Sequence, residues 1–475
     1  MGFVKFFSAA IILSLSLTGC SSEPPVPAVA AGDSCTAESQ AIIEIEGGSL
    51  ECRLFAGNER KYVQVSSSPT PPTQNLNTAA IETCQLKDNL SGAGTFTGGS
   101  VGYPAVGEFP STGEVKVAVV PVDFSDHPAT ADASWLQKEI DTADDWVNRF
   151  SNGKLKLDWQ FKNAWVRAPK ESKYYNWGHR SFQPDGSLAA DGAQNETNLQ
   201  TQQQMANQMF TAAQATYDFK NVEYVFFVFP EDIGTKIEHG PDLRNFQVQT
   251  PKGKFTLGFS FTSGVLHEMG DPWHQWLHEF LHSAGLRGHA PGNEYMYNIM
   301  AWDNGPGKAL TAWDSFILGW LNKDQVACFD IKNLSEEKVA LTSMDSDLPG
   351  VRTAIVRLSD HEAVVIESRR KDKYSAGLPD AFYGVQAYYV DTLKGEGRYD
   401  WALDRETEMK YFAYYLWVDA EDHGVGKPDV MSYEGPMVPG NLNMNGYVGD
   451  TFTYENLQIA VTDTGDFDTV TITRK

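Results

Sequence analysis

The chain has 475 residues, of which 41% are hydrophobic and 12% aromatic, a composition typical of globular and not of disordered proteins. This length is sufficient for about two or three domains that each bury a core. Acidic residues outnumber basic ones, 62 against 38, and give a formal net charge of −24. Because nucleic-acid binding depends on basic surfaces that release counterions, we expect no nucleic-acid partner.

The N-terminus predicts export and a lipid anchor. A lysine precedes an apolar run, residues 6–17, which has the length of a signal-peptide core and not of a membrane span. The run leads into LTGC, residues 17–20, which resembles the lipobox of bacterial lipoproteins. The resemblance implies removal of residues 1–19 and acylation of Cys20; an ordinary signal peptide is the alternative. We expect a protein of the bacterial cell envelope that is lipid-anchored, or else at the surface or secreted. If the cell has an outer membrane, that membrane is favoured because Ser21 follows the cysteine.

Four further cysteines predict two disulfides in this oxidising compartment, since their number is even. Three connectivities are possible. The pair Cys35–Cys52 is favoured because it would close a local hairpin, which leaves Cys84 to pair with Cys328. No CxxC occurs in the sequence, so neither a cysteine zinc ribbon nor a redox motif is expected.

The first part of the exported chain predicts little regular structure. Residues 20–34 are expected to form an extended tether, and residues 35–112 a small accessory or pro-like region. Within it, residues 41–55 predict a hairpin that turns at Gly47-Gly48. The motif GGSVG, residues 98–102, fits a nucleophile elbow, but its loose glycine-rich surroundings lack the required strand and helix, so a serine hydrolase is not predicted.

Residues 113–330 predict a catalytic domain in which strands and helices alternate. Strands are expected over 115–124, 153–161, 222–230 and 253–261, and helices over 136–150 and 197–217. A capping box of Ser134 and Gln137 would begin the first helix. From residue 331 to 475, short strands between turn residues predict an all-β, sandwich-like module.

The segment HQWLHEFLHSAGLRGHAP, residues 274–291, contains an HExxH motif. On a helix His278 and His282 share a face, so both imidazoles can bind one cation. Glu279 would then lie close enough to take a proton from a water molecule activated by that cation. Zinc is the usual ion, since it accepts nitrogen ligands, polarises carbonyls and lowers the pKa of water. The alternative is a histidine pair that only packs in a core.

The residues around the motif specify a helix with defined ends. Asp271 suits the N-cap position, and Pro272 suits the first helical position. Gly285 suits a stop with positive φ after the last turn. The apolar residues between these ends would bury the helix.

The motif continues as HExxHxxG, which resembles the metzincin pattern HExxHxxGxxH. YNIMAWD, residues 297–303, then resembles a Met-turn with Met300 beneath the metal, and GPGKALTAWDSFILGWLN, residues 305–322, resembles the segment that closes the catalytic domain of the immune inhibitor A family of secreted bacterial metallopeptidases. With looser matches on both sides, the resemblance covers roughly residues 113–400. It implies an α+β metzincin-like zinc peptidase domain, with a mixed twisted sheet and an active-site helix, followed by an all-β C-terminal module.

The third metal ligand departs from the family pattern. Gly288 occupies the place of that ligand and has no side chain to offer, whereas His289 follows it directly. We predict His289 as the third ligand, reached by one extra loop residue, with Asn293 and Glu294 as alternatives. Two tyrosines, Tyr295 and Tyr297, would be able to stabilise an oxyanion or simply pack in the loop.

These features predict a membrane-anchored zinc endopeptidase that acts on a protein or peptide substrate, with Glu279 as general base and then proton donor. An inactive surface binding protein or adhesin on a peptidase scaffold, and a zinc amidase acting on cell-wall peptides, are the alternatives. The acidic segments 391–404 and 419–424 are candidates for structural Ca²⁺, although neither has EF-hand spacing and solvated loops explain them as well.

Overall fold

The structure is a computed structural model, and it describes residues 29–36, 42–88, 99–175, 196–236, 240–262, 271–286, 298–300, 305–378, 383–393, 413–416 and 445–475. The predicted signal peptide, residues 1–19, and the predicted lipidation site Cys20 lie outside these ranges. Within them, no helix combines the length and the apolar character that crossing a bilayer requires.

The described residues form nineteen strands and four α-helices. The strands are β1 (Ile43–Ile45), β2 (Gly48–Leu54), β3 (Arg60–Ser66), β4 (Gly113–Asp123), β5 (Leu155–Phe161), β6 (Val166–Arg167), β7 (Tyr224–Val228), β8 (Gly240–Thr250), β9 (Gly253–Thr262), β10 (Val326–Asp330), β11 (Glu336–Leu341), β12 (Thr353–Arg357), β13 (Glu362–Arg369), β14 (Gly384–Asp391), β15 (Ala413–Tyr415), β16 (Asn445–Gly446), β17 (Thr451–Tyr454), β18 (Leu457–Asp463) and β19 (Asp468–Arg474). The helices are α1 (Leu136–Phe150), α2 (Glu196–Ala213), α3 (Pro272–Ser283) and α4 (Ala312–Ile317). The protein is therefore mixed α/β, with several sheets and few helices.

Strands β4 to β9 form one mixed sheet with the order β5-β4-β7-β9-β8, and β6 also pairs with β4. β4, β5, β7 and β9 run parallel to one another, whereas β8 runs antiparallel to β9. The apolar or alternating runs of the sequence predict the four parallel strands, and the structure confirms them. β8 carries no such pattern, because GPDLRNFQVQT is largely polar, as suits a strand at the edge of a sheet.

The central sheet buries an apolar layer on each face, because alternate residues of a strand point to opposite sides. Val117 and Phe226 lie in a core that also contains the buried side of α1 and α3. Val120 and Phe227 lie in a second core with the buried side of α2. Helix α3, which carries the HExxH motif, is thus held against the sheet.

Two further sheets follow in the C-terminal part and share a third core. One has the order β10-β12-β13-β14-β15 with β16 beside β14, and the other the order β11-β19-β18-β17. β10 lies within residues 113–330 of the sequence-based division, yet it pairs with β12 of the following sheet. The opposite face of this sheet, including Ile355 and Val365, joins the core that contains α3. The part that contains α3 and the C-terminal part therefore share one core at this face.

The N-terminal region 35–112 consists of two differently packed parts. Strands β1 to β3 form a small antiparallel sheet, and both favoured disulfides, Cys35–Cys52 and Cys84–Cys328, are formed. Residues 99–112, which we name the strap, run along the core of α3, in which Val101 and Phe109 are buried. The strap is therefore an integral part of the fold in this structure.

The predicted capping box of α1 is wrong, and Asp271 stands at the predicted N-cap position of α3 without capping it, because other partners take these side chains. The Ser134 hydroxyl donates to Asp132 at 2.5 Å and the Gln137 amide donates to Asp141 at 2.8 Å, so no capping box begins α1. Asp271 occupies the N-cap position of α3, but its carboxylate forms an ion pair with Lys308 and does not cap the helix.

Candidate metal centre

Helix α3 is buried along its whole length, and aromatic contacts fix its orientation. Trp276 stacks on Phe226 of β7 with ring centroids 5.3 Å apart, and Phe280 stacks on Phe109 of the strap at 4.8 Å. Pro272 is the first helical residue, as predicted. Gly285 has φ 117°, and the amides of residues 285 and 286 donate back to the carbonyls of residues 282 and 281, which ends the helix in a Schellman motif.

A side chain of α1 supplies a hydrogen-bond acceptor for the N-terminal end of α3. The Glu139 carboxylate of α1 accepts a hydrogen bond from the Trp273 amide at 3.3 Å. Burial raises the pKa of Glu139, although this hydrogen bond opposes the rise. A carboxylate at this position satisfies a first-turn amide and complements the positive end of the helix dipole. Glu139 thus does what the sequence assigned to Asp271.

The two motif histidines face each other across one turn of α3. His278 and His282 are each 3% exposed, and their Nε2 atoms lie 3.2 Å apart. The Nδ1 atom of His278 lies 2.7 Å from the carbonyl oxygen of Ile299, and that of His282 lies 3.2 Å from the carbonyl oxygen of Leu286. The helical spacing thus brings the predicted ligands together, and two backbone carbonyls orient them.

These contacts indicate where the imidazole protons lie. A carbonyl oxygen only accepts, so each Nδ1 must be the donor, and each neutral ring then carries its lone pair on Nε2. Two lone pairs therefore face each other at 3.2 Å. Two nitrogens bound tetrahedrally to zinc at about 2.0–2.1 Å would lie about 3.3 Å apart, so the pair fits this ion. A carbonyl on the distal ring nitrogen is the usual support of a metal-binding histidine.

Glu279 completes the described group. Its side chain is buried, and one of its carboxylate oxygens lies within 4.8 Å of a ring nitrogen of each histidine. This distance suits a base that exchanges protons beside the metal position. The sequence-predicted set of His278, Glu279 and His282 is therefore assembled in one buried place.

The other predicted site residues are only partly described. His289, the alternatives Asn293 and Glu294, and the tyrosines Tyr295 and Tyr297 lie outside the described residues. Met300 is 1% exposed and follows Ile299, whose carbonyl contacts His278. The predicted Met-turn residue is therefore buried, and it directly follows a residue whose backbone contacts one of the two histidines.

The contributions of Ile299, Leu286 and Glu139 have no counterpart in the sequence-based prediction. Ile299 and Leu286 act through backbone carbonyls, which every residue possesses, so their side chains give no signal. Glu139 reaches α3 from a position 134 residues earlier in the chain. The glycine stop at Gly285 was the one signal that the chain would return near His282.

Comparisons with known proteins identify no family. No protein-family model and no curated protein matches the sequence. Among solved structures, the chain is similar to the C-terminal lobe of a budding yeast Argonaute, with 10% identity over 77% of this chain and 54% of that one. The match thus spans about half of that lobe, and its TM-score of 0.16 carries no argument about the fold.

A second group of possible ligands lies at the end of the β13–β14 pair. His361 Nδ1 lies 2.9 Å from Asp391, and the hydroxyls of Ser359 and Tyr389 donate to Glu362. These side chains satisfy one another, so the group needs no metal. Asp391 also begins the first segment named for Ca²⁺; residues 394–404 of that segment and the whole of 419–424 lie outside the described residues.

Proposed function

We propose that this protein is a membrane-anchored zinc-dependent endopeptidase of the bacterial cell envelope, acting on a protein or peptide substrate. The observation that carries the proposal is the pair of Nε2 atoms, 3.2 Å apart, whose lone pairs face each other beside buried Glu279. With both Nδ1 atoms donating, a pair that only packs in the core needs one added proton between the two Nε2 atoms, whereas a pair that holds a metal ion needs none.

His278 and His282 would hold the ion, with His289 as the proposed third ligand. A zinc ion held there supplies a Lewis acid that polarises the scissile carbonyl and lowers the pKa of water. The carbonyls of Ile299 and Leu286 keep each ring in the tautomer that offers Nε2. They also hold the ring planes 90° apart, so that both nitrogens point into one space.

Glu279 would move the proton in both halves of the reaction. As a carboxylate it accepts the proton of the water that attacks the scissile carbonyl, and it returns that proton to the leaving amine. Its place on α3, directly after His278, keeps its distance from the histidines constant through the cycle.

The proposal is tested by Glu279→Gln in the purified protein, with zinc content and casein hydrolysis as readouts. We expect bound zinc to remain and hydrolysis to fall by about 10²–10⁴-fold, because the amide cannot accept the proton. Glu114→Gln, the same change at an exposed residue, is the matched control and should be as active as the wild type.

Each alternative predicts a different result. A Glu279→Gln protein with full zinc content and full activity would remove the assigned role of the carboxylate. A wild-type protein without zinc and inert toward unfolded protein would favour the surface binding protein. A protein that hydrolyses cell-wall peptides but not casein would favour the amidase.

A further inference from the structure

The strap closes over the C-terminal end of α3. The amide of Ser100 donates to the carbonyl of Gly285 at 2.8 Å, and the amide of Glu108 donates to the carbonyl of Ser283 at 2.8 Å. Ser100 also forms an isolated parallel bridge with Leu286. The last carbonyls of a helix lack partners within it, so the strap supplies partners that the helix itself cannot.

The fit between the two segments is close. A Cβ atom on Gly107 would lie 2.3 Å from the carbonyl carbon of Ala284, and one on Gly285 would lie 2.8 Å from the Gly107 nitrogen. Within the strap, the Ser100 hydroxyl accepts from the Val106 amide at 2.9 Å, which joins the beginning of the strap to its middle. Contact of backbone with backbone at this distance leaves no room for a side chain.

Leu286 links the strap to His282, one of the two proposed metal ligands. Leu286 pairs with the strap, and its carbonyl accepts from Nδ1 of His282. Movement of the strap would therefore move the group that fixes the tautomer and the orientation of His282. Partners of this kind on a metal-binding histidine change metal affinity by about 10–100-fold.

The strap is also tied into the rest of the molecule. The indole of Trp313 donates to the carbonyl of Val101 at 3.0 Å, and the indole of Trp320 donates to that of Ser111 at 2.7 Å. The amide of Tyr103 donates to the carbonyl of Leu86, two residues after Cys84, which is bonded to Cys328. These hydrogen bonds hold the backbone of the strap on the domain. The disulfide in turn fixes the segment that contacts Tyr103.

We propose that the strap, residues 99–112, is a positioning element of the metal centre that holds His282 through Leu286 and is retained in the active protein. This inference rests on the proposed metal site. It assigns a function to part of a region that the sequence left open as accessory or pro-like, and it means that removal of this region would weaken the site.

The test measures zinc affinity of the full exported chain by competition with a chelator, alongside the urea midpoint of each apo protein. Gly107→Ala pushes the strap from the end of α3, and Ser100→Ala removes the acceptor of the Val106 amide. We expect each variant to bind zinc about tenfold or more weakly, as for other losses of support behind a histidine ligand.

Two matched controls separate positioning from general stability. Gly465→Ala is the same change as Gly107→Ala at a glycine of the C-terminal part, where an added Cβ atom would meet nothing closer than the Gln64 carbonyl oxygen at 3.9 Å. Ser368→Ala removes a buried serine hydroxyl that donates to Asp468 in the C-terminal part, far along the chain from the site. Both controls should keep wild-type zinc affinity, even where Ser368→Ala lowers the urea midpoint as much as Ser100→Ala does.

The outcomes are distinguishable. Ser100→Ala loses one hydrogen bond worth about 1 kcal/mol, so it folds and decides the question even if Gly107→Ala does not. Wild-type affinity in folded Ser100→Ala, or an active zinc-loaded form that begins after residue 112, would overturn the role of the strap. A wild-type protein that binds no zinc would instead overturn the proposed function.

Discussion

At the scale of single residues, the candidate centre depends on side chains that local spacing selects and on backbone groups that it does not. Glu279 and the two histidines follow from one motif on one helix. The tautomer proposed for metal binding follows from the carbonyls of Ile299 and Leu286. The sequence therefore predicted which side chains come together, and the structure adds what orients them.

Asp314 on α4 makes the stability of the protein depend on pH. Its side chain is buried, and burial raises its pKa from 3.8 to about 7, with the Thr311 hydrogen bond and Arg369 opposing the rise and Glu367 adding to it. Between pH 3.8 and about pH 7, Asp314 is protonated in the folded protein and ionised in the unfolded chain. Stability therefore falls as the pH rises through this window, and the loss is complete above it.

We predict that Asp314→Asn reduces this fall, by up to about 1.4 kcal/mol per pH unit, because the amide is neutral throughout. Urea unfolding of the metal-free protein at several pH values from about 4 to about 8 measures it. Asp324→Asn, at an exposed position, is the control and should leave the slope unchanged. The slope that remains has a further source in Asp345, whose pKa burial raises to about 6. An unchanged slope in Asp314→Asn would contradict the assignment.

At the scale of elements, the two disulfides have unequal roles. Cys35–Cys52 closes 17 residues beside the small β1–β3 sheet, whereas Cys84–Cys328 closes 244 residues and joins the region before the strap to β10. On the chain-entropy model these loops correspond to about 3 and about 5 kcal/mol of stabilisation. Both sulfur atoms of the longer bridge lie in the core shared with α3.

We predict that replacing Cys84 and Cys328 together by alanine lowers the free energy of unfolding more than replacing Cys35 and Cys52, and that the first change alone weakens zinc binding. The reason is that the carbonyl of Leu86, two residues after Cys84, accepts a hydrogen bond from the amide of Tyr103 in the strap. Loss of the disulfide would therefore loosen a segment that holds the strap. Urea unfolding and chelator competition on both double variants measure the difference. Equal effects on zinc affinity would show that the disulfide does not act on the site.

At the scale of the whole molecule, the core of α3 extends into the C-terminal part. Val326, Ile355, Val365 and Val390 of the β10–β15 sheet share this core with α3 and α4. Burial of such side chains stabilises by about 1.5–3 kcal/mol each, so their sum is comparable with the whole stability of a typical domain. The β1–β3 sheet, in contrast, contributes no residue to the three cores of the described residues.

We predict that a chain ending at residue 325 loses its cooperative unfolding transition, whereas a chain beginning at residue 67 keeps it. Calorimetry and near-ultraviolet circular dichroism of the two truncated proteins provide the comparison. The second truncation removes the contacts of Arg53 with Thr464 and Gly465 and so costs some stability. A cooperative transition in the fragment that ends at residue 325 would show that the two parts fold independently.

The sequence by itself determined the features that neighbouring residues encode. Residue patterns predicted the parallel strands and helices α1 and α2. A spacing of one helical turn predicted that His278, Glu279 and His282 come together, and Gly285 predicted the end of α3. The hairpin argument also favoured the disulfide pairing that the structure forms. Zinc, the third ligand and peptidase activity remain predictions.

Only the tertiary structure decided what covers and orients the site. The strap lies on α3 across some 180 residues of chain, Glu139 replaces Asp271 as the acceptor at the first turn, and β8 pairs as an edge strand without an apolar pattern. Each of these contacts involves a backbone group of a residue distant in the chain, and backbone chemistry is the same at every residue. A sequence can therefore specify the ligands by side-chain type, whereas their support becomes visible only when the chain has folded.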